Sequence, residues 1–468
     1  FRNTNIRIMF LFIDRKDEFD LLEERYNKPG FDFFVIYGRR RIGKTELIKN
    51  FIKNKPHIYM LCNKAGTAAN VLRFKQEVSK LLNEPVIATG DLEEIFSYLV
   101  PKAKEKLVVV LDEFSYLVEK DDSVPSLFQA VIDEVLKEKN VMFVICGSSI
   151  SMMESLLGYK NPLYGRKTGH IKLDFLKFWY FKDFFPRYDI EENIRTYAIL
   201  GGVPFYLDKF DPGISALENA KKEILSKKGR LYEEVDFLLR EEMREPDVYK
   251  GILSAIAQGN AKVVDIANKA GIKASDMDRY LKTLIMLGII RKEIPVTEKK
   301  SKKTLYTIDD NFFDFYSRFF EPYRSDIELG EMRNIEENIN KNFNAYTGKK
   351  FENLIRKEAI MRISPFPISR AGKWWGFYRE SGEKKELEID IVALNEQTKE
   401  ILFCECKWQK NVNSEIIYQE LKEKVKFVNW NNKDRKEYYA VAARSFSIKT
   451  GHARCIDLNE LENVLSQV

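Results

Sequence analysis

The sequence predicts an α/β protein whose N-terminal part contains a parallel sheet with helices on its faces. Three observations point to this fold class. Short apolar runs alternate with helical stretches from about residue 9 to residue 155. One run is followed at once by a glycine-bearing segment, residues 38–45, and then by a helical stretch. Another, residues 107–111, is continuously apolar and ends in Asp112 and Glu113, as expected for a strand buried on both faces.

Composition disfavours several classes of protein. With 468 residues, 44% hydrophobic and 32% charged, the chain is expected to form several globular domains. It has no uncharged apolar run of about 18 residues and no signal-peptide pattern, so no membrane span is expected. Five scattered cysteines are typical of a reducing compartment, which predicts a cytoplasmic protein. The net charge of +6 is compatible with nucleic-acid binding but does not require it.

Residues 38–45 follow an expected strand at 33–37 and match the pattern G-x-x-x-x-G-K-[ST]. In this layout, backbone N–H groups and a helix N-terminus cradle anionic phosphates. Lys44 is expected to reach the β- and γ-phosphates, and the Thr45 hydroxyl is expected to ligate Mg²⁺. The sequence therefore predicts a nucleotide-binding loop made of Gly38, Arg39, Arg40, Arg41, Ile42, Gly43, Lys44 and Thr45.

The elements after this loop continue the alternation and complete a hydrolytic site. Strands are expected at residues 57–62, 107–111 and 141–146, and helices at 71–82, 92–103 and 125–139. Asp112 is expected in the Mg²⁺ shell, and Glu113 is expected to act as general base on the attacking water. Ser148 or Ser149, after the third of these strands, is placed to sense the γ-phosphate. The alternative for Asp112 and Glu113 is an ordinary acidic turn after a strand.

Residues 186–250 are expected to be helical, with an interruption at 201–204. The next segment has the pattern of a winged helix, with helices at 249–257, 263–270 and 275–287 and a hairpin at 289–294 and 304–308. One interpretation puts the third helix in a DNA major groove, with Lys299, Lys300, Lys302 and Lys303 on phosphates. In the other, the unit packs between domains. Asp276 and Asp278 disfavour groove binding, and both interpretations stay open.

The C-terminal part begins with a charged helical connector, residues 318–347, and a helix at 349–361. A hairpin is expected at 387–394 and 401–408, followed by a helix at 415–427. If the turn is centred on Gln397 and Thr398, Asp390 faces Glu405 and Glu388 faces Lys407.

This pairing predicts a site for a divalent cation. Asp390 and Glu405 would ligate it, with Lys407 beside them to help polarise a phosphodiester. Glu352, on the preceding helix, could supply a third carboxylate. The alternative is cross-strand ion pairing on a solvated face, such as Glu388 with Lys407.

On these motifs, residues 9–309 resemble the archaeal ATPases of the STAND branch of AAA+ P-loop NTPases. Three further segments match: the N-terminal motif at 12–18, called the box below, the Leu163-Tyr164-Gly165-Arg166 segment and the stretch at 201–207. The resemblance implies an AAA+-like sheet with a helical lid, and it implies that the protein uses ATP and Mg²⁺. It also implies that Pro204 packs on the nucleotide base and that the box lies near the adenine, although Asp14 stands where glycine is usual. Arg166 is either an arginine finger or part of a structural turn.

Residues 348–446 resemble PD-(D/E)xK restriction-endonuclease-like folds. Asp390, Glu405 and Lys407 match that motif as D-x14-E-x-K, with Ile389 in place of the usual proline. The resemblance implies that Glu352 is the acidic residue of the helix and that Gln419 matches a later helix position. This part of the chain is therefore expected to form a C-terminal α/β restriction-endonuclease-like domain.

The expected organisation has five parts. They are a P-loop ATPase core at 9–185, a helical lid at 186–248, a winged helix at 249–317, a helical connector at 318–347 and a nuclease-like domain at 348–468. The leading hypothesis is an ATPase that regulates a metal-dependent nuclease-like domain acting on DNA. The alternative is a slow ATPase switch that recruits a protein effector and carries an inactive C-terminal domain. Oligomerisation stays open.

Overall fold

The computed structural model describes residues 13–380 and 383–466. The chain forms two compact units. Leu176 ends the first unit, which also takes in Val203–Phe205, and the second unit begins at Lys177 and continues from Tyr206. The expected start of the ATPase core, residues 9–12, lies outside the described residues, as does Phe12 of the box. Within the described part, no helix is long and apolar enough to cross a membrane.

The first unit is built on a parallel sheet with strand order β2-β3-β4-β1-β5. Its strands are β1 (Asp32–Tyr37), β2 (His57–Leu61), β3 (Leu107–Asp112), β4 (Val141–Gly147) and β5 (Gly169–Lys172). The three central strands are buried at every residue, which explains why their sequences are continuously apolar. Because parallel strands share one carboxyl edge, the segments after β1, β3 and β4 meet there.

Helices cover this sheet. They are α1 (Lys16–Asn27), α2 (Lys44–Ile52), α3 (Thr67–Leu82), α4 (Leu92–Leu99), α5 (Ser115–Val118), α6 (Val124–Ala130) and α7 (Ile150–Leu156). The helix expected at 92–103 stops at Leu99, because Pro101 lies in a short 3₁₀ turn that follows (Val100–Lys102). The helix expected at 125–139 begins with Pro125 in its first turn and passes into a π-helical segment, Val131–Leu136.

The second unit begins with helices. They are α8 (Phe181–Phe184), α9 (Ile190–Leu200), α10 (Pro204–Leu207, which starts in the first unit), α11 (Ala216–Glu223) and α12 (Glu234–Glu242). Next come α13 (Pro246–Ala257), α14 (Val263–Ala270), α15 (Met277–Met286), β6 (Ile290–Glu293) and β7 (Leu305–Ile308). The expected order of three helices and a hairpin is therefore present at residues 246–308.

The hairpin and the loop that joins its strands pack against the C-terminal part of the same unit. In that loop, Val296 is buried, and its backbone N–H donates to the Lys373 carbonyl at 3.0 Å. Arg370 returns a bond to the Val296 carbonyl at 2.8 Å. This geometry favours the packing interpretation of the segment. On the third helix, the exposed Asp278 pairs with Lys282 at 2.6 Å.

A network of ion pairs joins the hairpin and the residue after it to the π-helical segment Ile355–Ala359, which directly follows the long helix described next. Arg291 pairs with Asp309, and Lys357 reaches the same carboxyl at 2.9 Å. Arg356 reaches Glu293 at 2.7 Å. Burial raises the pKa of Asp309, but Lys357 and Arg291 outweigh that effect and hold the pKa at about 2.

The C-terminal part is a mixed sheet with strand order β14-β12-β10-β9-β8. Its helices are α16 (Asn311–Phe315), α17 (Arg324–Leu329), α18 (Arg333–Leu354), α19 (Ile360–Ile363), α20 (Ser414–Val425) and α21 (Leu458–Ser466). Its strands are β8 (Arg370–Glu380), β9 (Glu383–Asn395), β10 (Glu400–Lys407), β11 (Val412–Asn413), β12 (Lys436–Ala443), β13 (Phe446–Ile448) and β14 (Arg454–Ile456). Helix α18 runs without a break across the expected boundary between residues 347 and 348.

The register of the β9–β10 hairpin is the one expected from its sequence. Asn395 pairs with Glu400, and the ladder continues to the pair Ile391 and Cys404. These partners follow the same pairing rule that places Asp390 opposite Glu405. Strand β8, which contains Trp374 and Trp375, was not expected as a strand. It pairs antiparallel with β9 along its length, with an irregularity between Gly372 and Trp374.

Candidate functional site

The glycine-bearing loop lies between β1 and α2 at the carboxyl edge of the first sheet. At Gly38 the backbone approaches β5 so closely that a Cβ would lie 2.6 Å from the Leu173 carbonyl oxygen. Gly43 has a φ of +95° and immediately precedes α2, so it takes the left-handed conformation that glycine adopts without strain. The close approach at Gly38 and the left-handed backbone at Gly43 explain why the motif has glycine at both positions.

The side chain of Lys44 folds back inside the loop. It is only 5% exposed, and its Nζ donates to the carbonyls of Gly38 and Arg39, each at 2.8 Å. Burial lowers the pKa of this ammonium group, and the carboxylates of Glu113 and Asp112 oppose that effect. Backbone carbonyls of the loop therefore hold the Lys44 ammonium group at the place where it would contact a bound phosphate.

Asp112 is fully buried at the end of β3 and faces the first turn of α2. Its Oδ2 accepts a hydrogen bond from Thr45 Oγ1 at 2.8 Å. The same oxygen accepts from the Tyr59 hydroxyl, also at 2.8 Å, while Oδ1 accepts from the Glu113 N–H at 2.9 Å. The structure thus brings together Thr45 and Asp112, as the sequence predicts. Tyr59 was not predicted, because no motif contains it.

Glu113 has a backbone φ of +54°, which is unusual for a residue with a side chain. This conformation turns its carboxylate toward β4, where it accepts from the Ser148 hydroxyl and, at 3.3 Å, from the Ser148 N–H. The two residues lie on neighbouring strand ends, as expected. Ser149 instead contacts Ser151, with 3.4 Å between their hydroxyl oxygens.

Pro204 lies against the loop, because a Cβ placed on Gly43 would come within 3.9 Å of its Cγ. Next to it, the Phe205 ring stacks on the Arg41 guanidinium at 4.0 Å. Both Pro204 and Phe205 belong to the first unit although they follow α9 in sequence. The structure therefore brings Pro204 to the loop, whereas the part of the nucleotide that it touches stays a prediction.

The box at 12–18 also reaches the loop. Arg15, 6% exposed, donates to the Ile42 carbonyl at 3.1 Å and to the Asp174 carbonyl at 2.7 Å. Asp14 has a φ of +52°, which explains why glycine suits that position and why aspartate is tolerated there. On the other side of the loop, Arg40 donates to the Tyr116 hydroxyl at 3.0 Å. Neither Arg15 nor Tyr116 was predicted as a site residue.

Arg166 forms a bidentate contact with Asp133, at 2.6 Å from Nη2 and 3.0 Å from Nε. Its Nη1 donates to the Pro162 carbonyl at 2.6 Å. The guanidinium is thus engaged within its own turn and with the π-helical segment. Of the two interpretations given for Arg166, this arrangement favours the structural one.

In the second unit, Asp390 and Glu405 are 9% and 2% exposed on the neighbouring strands β9 and β10. Asp390 Oδ2 accepts from the Cys406 N–H at 2.8 Å. Burial and the nearby carboxylates of Glu352 and Glu405 raise the pKa of Asp390 to about 8. Burial also raises the pKa of Glu352. The structure therefore brings together three predicted carboxylates.

Two lysines contact Glu405, the expected Lys407 and a second one. Lys407 reaches Glu405 Oε2 at 3.0 Å, and Lys424 of α20 reaches Oε1 at 2.7 Å. Burial lowers the pKa of Lys407, but Glu405 outweighs this effect, so the net pKa is raised. Lys424 was not predicted.

The ion pair of Glu388 with Lys407, given above as the alternative, is not formed, whereas Gln419 lies on the expected helix. Glu388 pairs with Lys373 at 2.8 Å and not with Lys407, because β9 hydrogen-bonds to β8 at that point. Gln419, placed on α20 as expected, donates to Glu415 one turn away at 2.7 Å.

The two sites fit a divalent cation differently. At the loop, the Thr45 proton is directed at Asp112, which leaves the oxygen lone pairs for a cation of the Mg²⁺ type that keeps waters and phosphates as its other ligands. At the carboxylates, the fit is poorer. Among the described residues, no group of three or more His, Cys, Asp or Glu side chains has a metal-holding arrangement. The expected set of Glu352, Asp390 and Glu405 is therefore not a preformed ligand group, because lysines contact both oxygens of Glu405.

Comparison with known proteins agrees with the architecture. A family model described as an ATPase domain predominantly from Archaea matches residues 12–210. A second one, described as archaeal and bacterial proteins of unknown function, matches residues 316–423. An uncharacterized protein of Methanocaldococcus jannaschii is 40% identical over 462 residues, which cover 96% of this chain and 100% of the relative.

Among solved structures, the Walker-type ATPase paby2304 of Pyrococcus abyssi is 22% identical, with a TM-score of 0.50 over 66% of this chain and 96% of that chain. The ORC2 protein of Aeropyrum pernix, in ADPNP–ADP complexes, is 17% identical, with a TM-score of 0.43 over 68% of this chain and 94% of that chain. The chain therefore belongs to the same protein family as its Methanocaldococcus jannaschii relative, and it is an ATP-hydrolysing enzyme with a P-loop ATPase domain.

Proposed function

We propose that this ATPase regulates its C-terminal domain, and that this domain is a metal-dependent nuclease of the PD-(D/E)xK type acting on DNA. In the ATPase site, Lys44 and the loop N–H groups bind the β- and γ-phosphates. Thr45 and Asp112 hold Mg²⁺, which offsets the phosphate charge, and Glu113 orients the attacking water. Ser148 holds the Glu113 carboxylate through their hydrogen bond, and Pro204 packs on the base.

The organisation that accompanies this function has five segments: a core to residue 185, a lid at 186–248, a winged helix at 249–317, a connector at 318–347 and a nuclease-like domain from 348. We assign the winged helix to packing, since Val296 of its loop is buried against the C-terminal sheet. The connector and the last domain share helix α18. Movement of the connector would therefore act directly on Glu352.

The observation that carries the nuclease proposal is the juxtaposition of buried Asp390 and Glu405 on adjacent strands, with Lys407 beside them. Burial raises the pKa of Asp390, and repulsion from the carboxylates of Glu352 and Glu405 raises it further. Asp390 and Glu405 would hold a divalent cation, which would supply Lewis-acid chemistry toward a phosphodiester. Lys407 would then neutralise charge on the phosphate. For the cation to bind, at least one lysine must leave Glu405.

The test is Mg²⁺- or Mn²⁺-dependent cleavage of linear and supercoiled DNA, with and without ATP. We expect cleavage by the wild type, none by Asp390→Ala, and wild-type cleavage by the control Glu388→Gln, whose carboxylate is 52% exposed and pairs with Lys373. An absence of cleavage by the wild type under all these conditions would refute the nuclease proposal. Equal cleavage by wild type and Asp390→Ala would point to a contaminating nuclease.

A second candidate function is a slow ATPase switch that recruits a protein partner through an inactive C-terminal domain. The contact of Lys424 with Glu405 favours it, because a lysine ammonium group there already compensates the carboxylate. The ATPase rate with and without DNA separates the two proposals. Stimulation by DNA supports the DNA-acting enzyme, whereas a rate that DNA leaves unchanged supports the switch.

A further inference from the structure

Tyr59 lies on β2, outside every motif of the ATPase site, yet it touches one of the central carboxylates. Its hydroxyl donates to Asp112 Oδ2 at 2.8 Å. The contact crosses between neighbouring strands, since β2 pairs with β3 in parallel and Leu61 stands beside Asp112. Tyr59 is partly buried, and its hydroxyl is the donor of this hydrogen bond, since the carboxylate of Asp112 can only accept.

The arrangement around Asp112 gives this contact a purpose. Oδ2 accepts from Thr45 and Tyr59, and Oδ1 accepts from the Glu113 N–H. These donors approach both oxygens, so the carboxylate plane is fixed. Thr45 has one hydroxyl proton, and while it points at Oδ2 the lone pairs of the oxygen point away from Asp112. Rotation of Asp112 would free that proton and turn the lone pairs away from the phosphate side.

We infer that Tyr59 is a positioning residue for ATP hydrolysis: by fixing Asp112 it makes Thr45 present a lone pair to the Mg²⁺ that accompanies ATP. The inference rests on the proposed roles of Thr45 and Asp112. The proposed roles of Thr45 and Asp112 do not by themselves require a hydroxyl donor on the neighbouring strand, and the inference adds that requirement. Tyr59 contacts neither nucleotide nor cation in this scheme. Its removal should therefore weaken metal binding more than nucleotide binding.

The variant is Tyr59→Phe, and the matched control is Tyr26→Phe. Tyr26 lies in the same unit and donates to a backbone carbonyl, that of Lys106, at 3.0 Å. Each variant loses one hydroxyl hydrogen bond, so similar small losses of stability are expected. Mn²⁺ affinity is measured by electron paramagnetic resonance with a non-hydrolysable ATP analogue bound. The Mg²⁺ concentration for half-maximal ATPase rate is measured separately, at saturating ATP.

For Tyr59→Phe we expect Mn²⁺ affinity to fall about 3- to 10-fold, within the range for one ordinary hydrogen bond, because Thr45 and the Glu113 N–H still hold Asp112. The half-maximal Mg²⁺ concentration should rise in proportion, and analogue affinity without metal should stay unchanged. Tyr26→Phe should match the wild type in all three measurements. Asp112→Asn reports on the proposed function by itself. If it weakens Mn²⁺ binding and Tyr59→Phe does not, the inference about Tyr59 is overturned. If Asp112→Asn has no effect, the proposed role of Asp112 fails first.

Discussion

Replacing Gly43 by alanine separates the cost of a left-handed backbone from the cost of disturbing the phosphate loop. Gly43 has φ of +95° and ψ of 16°. Gly330, which follows α17 in the second unit, has nearly the same conformation, with φ of +83° and ψ of 12°. A Cβ at Gly330 meets no atom within 4 Å, and one at Gly43 meets only Pro204 Cγ at 3.9 Å. Neither substitution therefore creates a steric clash.

The backbone cost of alanine in this region is about 1–2 kcal/mol, reduced by about 0.4–1 kcal/mol because the unfolded chain also loses freedom. Both variants should therefore lose about 1 kcal/mol of stability. Only Gly43→Ala shifts N–H groups that would bind phosphate. One bond to a charged group is worth about 1.5–3 kcal/mol, which corresponds to a loss of about 10- to 100-fold in ATP affinity.

The assay pairs thermal unfolding with calorimetric titration of a non-hydrolysable ATP analogue. We expect similar small decreases in the unfolding midpoints of Gly43→Ala and Gly330→Ala, measured for the unit that holds each residue. Analogue affinity should fall only in Gly43→Ala. Wild-type affinity in Gly43→Ala, with its midpoint lowered as expected, would show that the loop backbone around Gly43 does not bind phosphate.

Three further predictions address single contacts. Glu113→Gln should keep ATP affinity and lower the turnover rate about 10²- to 10⁴-fold, because the water loses its base; unchanged turnover would exclude Glu113 from that role. Asp309→Asn should lower the free energy of unfolding by about 2 kcal/mol at pH 7, since the carboxyl has a pKa of about 2 against an ordinary 3.8. That stabilisation is complete above about pH 4 and is lost as pH falls through about 2, so the difference from wild type in urea unfolding should shrink there; a difference independent of pH would refute the linkage. Arg166→Ala should keep the ATPase rate, because the arginine is paired with Asp133; a loss of 10³-fold or more would restore the arginine-finger interpretation.

Local sequence patterns predicted those structural features that are determined by residues close together in the sequence. The loop at 38–45 was predictable because its geometry follows from neighbours in sequence, and a hairpin with a short turn fixes its own register, as at Ile391 and Cys404. Contacts between distant segments could not be predicted in this way. Tyr59 meets Asp112 only because β2 lies beside β3.

The same limit applies in the second unit. Lys424 reaches Glu405 only through the packing of α20 on the sheet, and nothing in the local sequence distinguishes it from Lys422 on the same helix. The connector was expected to be helical, but its continuity with the next helix was not expected, because the early turns of α18 are polar and resemble a linker in composition. Its buried positions, including Ile335, Ile339 and Phe343, become meaningful only once their partners are known.

Helix α18 has a consequence for how proteins of this family can exchange parts. Tyr346 on this helix donates to the carbonyls of Ala198 and Asn311, and the buried Lys350 pairs with Asp314 at 2.6 Å. Glu352 follows within the next turn. A recombination event or an expression boundary at residue 347 would cut between these anchors and leave Lys350 buried without its carboxylate. A C-terminal domain that moves between proteins intact should therefore carry the chain from α16 onward, and an isolated fragment should be tested from that point.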